Sequence, residues 1–187
     1  PQLPKNRKVL IMQGAGINPE RGFEEAILAM QFLNEEFLLV IAGSGTILEK
    51  LQNLTNSKHL QQKVLFLPKM PFETLHYVTK QASLGLSLDK PESMNYIFSL
   101  PNKVFDYIHA GVPVLASSVF EVKKIIEGYK TGICIDKITP ENIANAIHEI
   151  FERPGLYEDF KNNTLVAREE LNWENEMKVL EDVHNFS

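Results

Sequence analysis

Residues 99–114 read Ser-Leu-Pro101-Asn102-Lys103-Val-Phe-Asp106-Tyr-Ile-His-Ala-Gly111-Val-Pro113-Val, which is the pattern of a helix start, a helix and a turn into an apolar run. Proline is preorganised at a first helical position, and the free backbone amides that follow it attract an anion. Lys103 adds a positive charge beside those amides, and we expect this charge to be mobile. Asp106 comes three residues after Lys103 and four after Asn102, so it lies on the same face of the helix. The stretch therefore predicts an anion site with a carboxylate one turn behind it, suited to accept hydrogen bonds from sugar hydroxyls.

Outside this stretch, short apolar runs alternate with amphipathic helical stretches. The apolar runs lie near residues 8–13, 37–42, 63–67, 84–88, 112–116 and 132–135. Helical spacing begins at Gly22, Thr46, Phe72, Pro101, Phe120 and Pro140, the last after a plausible N-cap at Thr139. This alternation predicts a doubly wound α/β domain with a parallel sheet of about six strands. In such sheets ligands bind beyond the carboxyl ends of the strands, which is where the candidate site residues fall.

The domain organisation follows from the same pattern. Residues 1–7 are polar and rich in proline, as interdomain linkers are, and residues 8–171 suffice for one ordinary domain. Residues 172–187 have the pattern of an additional amphipathic helix. We therefore predict a linker remnant, a doubly wound α/β domain and a C-terminal helix, in that order.

Composition excludes several classes of function. The formal net charge of −5 argues against a nucleic-acid-binding protein. No apolar stretch approaches the roughly 20 residues that span a bilayer, and the first residues lack a signal-peptide pattern. We expect a cytoplasmic protein. The sequence does not decide whether it contacts the inner face of the membrane through a partner or a substrate. The five histidines lack metal-ligand spacing, so we expect no metal site, and the single cysteine, Cys134, reads as a buried structural thiol.

The stretch at 99–114 resembles the donor-nucleotide motif of retaining glycosyltransferases of the GT-B fold, in particular the large family 4 group. In that group a Pro-Asn-Lys-x-Phe-Glu-Tyr run precedes Ala-Gly-x-Pro-Val, and this chain has Asp106 where Glu is usual. Further parts of the chain match in the family's order, namely Pro19-Glu20-Arg21-Gly22, Val40 to Gly45 and Val64 to Pro71. The resemblance covers nearly the whole chain and implies the C-terminal, donor-binding half of a two-domain enzyme.

The resemblance also implies what the complete enzyme does. A sugar would pass from a nucleoside diphosphate of the UDP or GDP type to a glycan or lipid-linked acceptor, often in the synthesis of envelope polysaccharides. The acceptor would be held by an N-terminal domain, so the isolated domain would be inactive. No cofactor beyond the donor nucleotide sugar is implied, and positive side chains with a helix N-terminus would neutralise the leaving group.

The resemblance assigns roles to individual residues. Arg21 and Lys103 would stabilise the departing diphosphate, and Asp106 would hold ribose hydroxyls. The loop after the third strand, through Lys69 and Met70, would meet the nucleotide base. The donor-binding residues implied are Gly14, Ala15, Gly16, Arg21, Lys69, Met70, Pro101, Asn102, Lys103 and Asp106.

Three departures from the family pattern bear on activity. Many members have a second Arg at the position of Ala15, and a Glu at the position of Phe98. Asp106 in place of Glu is the third departure. Glu92 or Asn95, in the long loop from residue 89 to residue 100, could take over part of the role of the missing Glu.

Three other functions stay open at this point, beside a fourth that the sequence disfavours. A nicotinamide-binding fold is disfavoured because the third glycine expected after Gly14 and Gly16 is Pro19. A sugar-nucleotide epimerase shares the GT-B architecture, and a non-catalytic binding module would account for the three departures. A flavodoxin-like signalling domain would need an Asp where the first strand ends in Gln13.

Overall fold

The computed structural model describes residues 1–14, 16–90 and 102–171. These residues form an all-parallel sheet of six strands in the order β3-β2-β1-β4-β5-β6. The strands are β1 (Lys8–Gly14), β2 (Phe37–Gly43), β3 (Val64–Leu67), β4 (Leu84–Ser87), β5 (Val114–Ser117) and β6 (Gly132–Ile135). The helices are α1 (Phe23–Ala29), α2 (Leu48–Ser57), α3 (Phe72–Thr79), α4 (Asn102–His109), α5 (Phe120–Tyr129), α6 (Pro140–Glu152) and α7 (Leu156–Glu170). The predicted doubly wound α/β fold with about six strands is confirmed.

Helices cover both faces of the sheet, because the apolar residues of each strand point alternately to either side. On one face Leu10 and Met12 of β1 pack in a cluster with α1, α2 and α6. On the other face Val9 and Ile11 pack in a cluster with α3, α4 and α5, and α7 adds Ala167. The two clusters make a three-layer domain in which the helices on both faces are fixed to the same central strands.

The strand order reverses between β1 and β4, and Tyr107 of α4 fills the point where they separate. These strands pair at Leu10 with Leu84 and at Ile11 with Gly85. The Tyr107 hydroxyl accepts a hydrogen bond from the Gln13 backbone N–H at 3.3 Å. It also lies within donating distance of two carbonyl oxygens, those of Ile11 (3.2 Å) and Leu86 (3.1 Å). A Cβ on Gly85 would come within 2.4 Å of the Tyr107 ring, so glycine is what admits this buried ring.

Several element boundaries differ from the sequence predictions. Strand β5 begins at Val114 rather than at residue 112, since Pro113 has no N–H for the ladder and contributes its carbonyl to Gly85 instead. Helix α2 begins at Leu48, not Thr46, and α1 ends at Ala29, although Leu33 beyond it is buried. Helix α7 was not predicted; its buried residues are Phe160, Thr164 and Ala167, too sparse an apolar stripe to recognise.

Two further predictions concern the ends of the chain and the cysteine. Leu3 is buried and its N–H donates to Gln81 Oε1 at 2.9 Å, so residues 1–7 lie against the domain. Their origin as a linker stays a prediction.

Cys134, predicted to be buried, is only partly buried because β6 is the edge strand of the sheet. The predicted helix at 172–187 lies outside the described residues. Within the described ranges we find no helix with the length and apolar character needed to cross a bilayer.

Candidate functional site

A pocket of about 300 Å³ opens at the carboxyl end of β1, beside the point where the strand order reverses. In open α/β sheets this reversal is the place where ligands bind. The pocket is lined by Gln13, Gly14, Gly16, Arg21, Phe23, Leu75, Asn102, Lys103 and Asp106. Six of these residues were predicted from the sequence, namely Gly14, Gly16, Arg21, Asn102, Lys103 and Asp106. Ala15 and Pro101 lie outside the described residues.

The start of α4 forms one wall of the pocket. The helix begins at Asn102 and its first N–H groups have no partner within the helix, so they favour an anion. Lys103 and Asp106 follow on the face that lines the pocket. A cation, a helix N-terminus and a carboxylate therefore meet at one opening.

Lys103 is not the mobile charge that the sequence predicts. Its Nζ lies 3.2 Å from Oδ1 and 3.1 Å from Oδ2 of Asp89, and the two side chains are 9% and 6% exposed. Burial lowers the pKa of the Lys103 ammonium, and the Asp89 carboxylate counteracts part of that shift. The ammonium is therefore held in place by a buried ion pair while it lines the pocket.

Arg21 reaches the same carboxylate from the loop before α1. Its Nη1 lies 3.5 Å from Asp89 Oδ1. Gly22 has φ of +74°, and a Cβ at this position would lie 2.5 Å from the Leu88 carbonyl oxygen. Only glycine permits this close approach in a left-handed conformation, and the approach places Arg21 beside the end of β4.

Asp89 was not assigned a role from the sequence. The sequence predicts a functional loop from residue 89 to residue 100, with Glu92 and Asn95 as its candidates; both lie outside the described residues. A signal for Asp89 was present, since it is an acidic residue at the carboxyl end of a buried strand. The sequence could not show that Lys103 and Arg21 both turn toward it.

Asp106 is held by a second polar chain that the sequence did not reveal. Gln13 Nε2 donates to Asp106 Oδ2 at 3.3 Å, and Thr79 Oγ1 lies 2.6 Å from Gln13 Oε1. Burial raises the pKa of the Asp106 carboxyl, and the Gln13 hydrogen bond opposes this shift. The arrangement orients a carboxylate toward the pocket, where it can accept hydrogen bonds from hydroxyl groups.

The remaining candidates lie away from the pocket. Lys69 is exposed, and Met70 is partly buried against the apolar cluster on the α3–α4 face. Neither residue lines the pocket, and their contact with a base stays a prediction. His109 Nε2 lies 2.6 Å from the Leu171 carbonyl oxygen and joins α4 to the end of α7, which favours a structural role. In the part of the chain described, no group of three or more His, Cys, Asp or Glu side chains is placed to hold a metal ion.

Comparison with known proteins assigns the chain to a family. The model of the family described as Glycosyl transferases group 1 matches residues 1–165. An uncharacterized glycosyltransferase of Methanocaldococcus jannaschii is 26% identical over 185 residues, covering 97% of this chain and 46% of the relative. The chain thus spans about half the length of the curated relative that it matches.

Two solved structures share the fold at low sequence identity. Sucrose-phosphate synthase from Thermosynechococcus elongatus superposes with a TM-score of 0.77 at 19% identity, covering 99% of this chain and 47% of that one. Anabaena HepE in complex with UDP and glucose superposes with a TM-score of 0.75 at 14% identity, covering 96% and 49%. At these identities the likeness establishes the fold alone, which is that of one half of a GT-B glycosyltransferase.

Proposed function

Because this chain belongs to the glycosyl transferases group 1 family, we propose that it is the half of a retaining glycosyltransferase that binds the nucleoside diphosphate sugar donor. The observation that carries this proposal is the pocket at the strand-order reversal. There Lys103 and Arg21 line one opening with the start of α4, and Asp106 lies on the same wall.

Each group has a part in the proposed binding. The two cations and the first amides of α4 bind the diphosphate. Negative charge develops on the leaving oxygen of the diphosphate as the glycosidic bond breaks. Removing one such preorganised donor group typically lowers kcat by ~10²-fold or more. Asp106, oriented by Gln13, accepts hydrogen bonds from ribose hydroxyls. Phe23 and Leu75 are the apolar side chains of the pocket lining, and most ligand pockets are lined largely by such side chains.

The donor is of the UDP or GDP type. UDP has the support of the HepE complex, which contains UDP and glucose and shares this fold. Lys69 and Met70, in the loop after β3, remain the candidates for contact with the base, and Gly14, Ala15 and Gly16 for close backbone approach to the phosphates. Pro101 and Asn102 would bring the amides of α4 to the same group.

The rest of the activity belongs to the whole protein. The chain spans about half of its relative, which fits a two-domain enzyme whose other half holds the acceptor. We place this chain as the C-terminal half, inactive as an isolated domain. A glycan or lipid-linked acceptor in envelope polysaccharide synthesis, at the cytoplasmic side of the membrane, completes the proposal.

Calorimetric titration with UDP and with GDP tests the binding function. We expect one nucleotide to bind, and Arg21→Ala and Lys103→Ala each to raise its Kd about tenfold or more, since a charge-assisted hydrogen bond contributes about 1.5–3 kcal/mol. Lys50→Ala is the control, because Lys50 is an exposed lysine with an ion-pair partner, Glu24, at 2.6 Å, and does not line the pocket.

The stability of the two variants must be measured alongside. Lys103→Ala leaves the buried Asp89 carboxylate without its lysine, which lowers the free energy of unfolding, so titrations are run below the melting temperature of each variant. Arg21 is 28% exposed on its side chain and gives the cleaner test. Unchanged nucleotide affinity in both variants would contradict the proposed function.

A further inference from the structure

We propose that Asp89 is a positioning residue of the donor pocket, which holds Lys103 and Arg21 together and keeps Lys103 charged for the diphosphate. The inference rests on the proposed function and deepens it. It concerns a residue that neither the family resemblance nor the sequence pattern assigns to the site. Asp89 acts through the two cations, since it does not itself line the pocket.

The geometry of the ion pairs is the first argument. Asp89 Oδ1 lies 3.2 Å from Lys103 Nζ and 3.5 Å from Arg21 Nη1, so one oxygen faces both cations. Asp89 Oδ2 lies 3.1 Å from the same Nζ. Two like charges brought to one pocket wall repel each other, and a carboxylate between them removes that cost.

The backbone around Asp89 is fixed on both sides. Leu88 lies against Gly22, and the Lys90 N–H donates to the Glu20 carbonyl oxygen at 2.8 Å. Lys90 Nζ also lies 2.6 Å from Glu25 Oε1 in the first turn of α1. The carboxylate therefore sits on a segment bonded directly to the loop that carries Arg21, which is what a positioning role requires.

The charge state of Lys103 is the second argument. Its ammonium is almost fully buried, and a buried ammonium without a counter-ion releases its proton more easily. The charged groups that act on it are Asp89 after β4 and Arg21 before α1, and Asp106 on α4 lines the same pocket. Among the described residues, Asp89 is the carboxylate that lies within ion-pair distance of Lys103. Without it, burial alone acts on the pKa of Lys103, so we expect the ammonium to release its proton at a lower pH than in the wild type and then to bind phosphate poorly.

The opposite possibility makes a different prediction. If Asp89 merely occupied Lys103 until a diphosphate displaced it, removing the carboxylate would free both cations. Nucleotide affinity would then rise at every pH. The direction of the change and its pH dependence therefore separate a positioning group from a competitor.

The test measures UDP and GDP binding by calorimetry for the wild type and Asp89→Asn at pH 6.5 and pH 8.5. We expect the ratio of variant to wild-type Kd to be severalfold larger at pH 8.5 than at pH 6.5, since Lys103 without its counter-ion gives up its proton more easily as the pH rises. The charge of His76 acts on Asp106 in the wild type and in the variant alike. Any effect of His76 on nucleotide binding therefore cancels when the two Kd values are divided.

Three further variants isolate the effect. Glu24→Gln is the control, because Glu24 is likewise a carboxylate in a lysine ion pair but is partly exposed and does not line the pocket. Lys103→Met combined with Asp89→Asn removes both charges of the pair, and we expect the extra pH dependence to vanish. Asp89→Glu keeps the charge, and we expect it to restore a pH-independent ratio; this holds as a test even where Asp89→Asn does not fold.

The outcomes separate the two proposals. A ratio that grows with pH in Asp89→Asn, and not in the double variant, supports the positioning role. A wild type that binds UDP or GDP, with Asp89→Asn binding equally or more tightly at both pH values, overturns the role of Asp89 and leaves the proposed function standing. A wild type that binds neither nucleotide overturns both.

Discussion

The Tyr107 hydroxyl offers a test of how the central sheet is held at the point where the site forms. It accepts from the Gln13 N–H at 3.3 Å and lies 3.1 Å from the Leu86 carbonyl oxygen, so it bridges β1 and β4 where they separate. Burial raises the pKa of the Tyr107 phenol, which therefore stays neutral and able to donate. Tyr107→Phe removes the bridge and keeps the ring that packs on Gly85.

The expected cost follows from the buried groups left behind. Gln13 is 3% exposed, so its backbone N–H cannot turn to water when the hydroxyl is lost. A buried donor left unsatisfied costs about 1–3 kcal/mol. For a domain of this size each kcal/mol lowers the melting temperature by about 2–4 °C, which gives a decrease of about 2–12 °C.

Urea unfolding and thermal melts of Tyr107→Phe measure this cost. Tyr77→Phe is the control, because Tyr77 is 57% exposed, in contrast to the buried Tyr107. We expect the UDP Kd of Tyr107→Phe to stay within about twofold of the wild type, since the ring still fixes α4. A Tyr107→Phe melt that coincides with those of Tyr77→Phe and the wild type would refute the bridging role.

Three other predictions follow from single groups. Thr139→Ala should lower the free energy of unfolding by about 1 kcal/mol in urea titration, because the Asn142 N–H loses its N-cap acceptor at 3.2 Å. Burial raises the pKa of Cys134 to about 12, so iodoacetamide should label the folded protein at pH 8 much more slowly than the urea-unfolded protein. Asp106→Asn should make the protein more stable than the wild type at pH 7, because burial raises the pKa of Asp106 above 3.8 and penalises its charged form. That advantage should disappear as the pH falls toward 3.8, where the unfolded carboxyl also takes up its proton, and urea titrations at both pH values check it.

The fold was accessible from the sequence because its signals are local. Each strand is a short apolar run and most helices carry a clear stripe, so alternation alone predicts the parallel sheet. Helix α7 was not predicted because it has few buried positions and Thr164 occupies one of them, which leaves too few apolar residues to form a recognisable stripe. The start of β5 was misplaced because the apolar pattern includes Val112, while Pro113 prevents the ladder from beginning there.

The site was only partly accessible because its electrostatics depend on contacts between distant residues. Lys103 and Asp106 were found by their spacing on one helix, and Arg21 through the family resemblance. Asp89 and Gln13 were not, since they are 14 and 93 residues away from the side chains that they contact. The burial of Lys103 likewise depends on how α4 packs against the end of β4, which no local pattern records.

The contact between His109 and Leu171 gives α4 a second attachment, at the end opposite the pocket. Helix α4 has eight residues and is therefore about 12 Å long, too short a rod to bend appreciably. The imidazole therefore ties the C-terminal end of α4 to Leu171, the C-cap residue of α7, so that α4 is fixed at this end as well as by the buried Tyr107 hydroxyl.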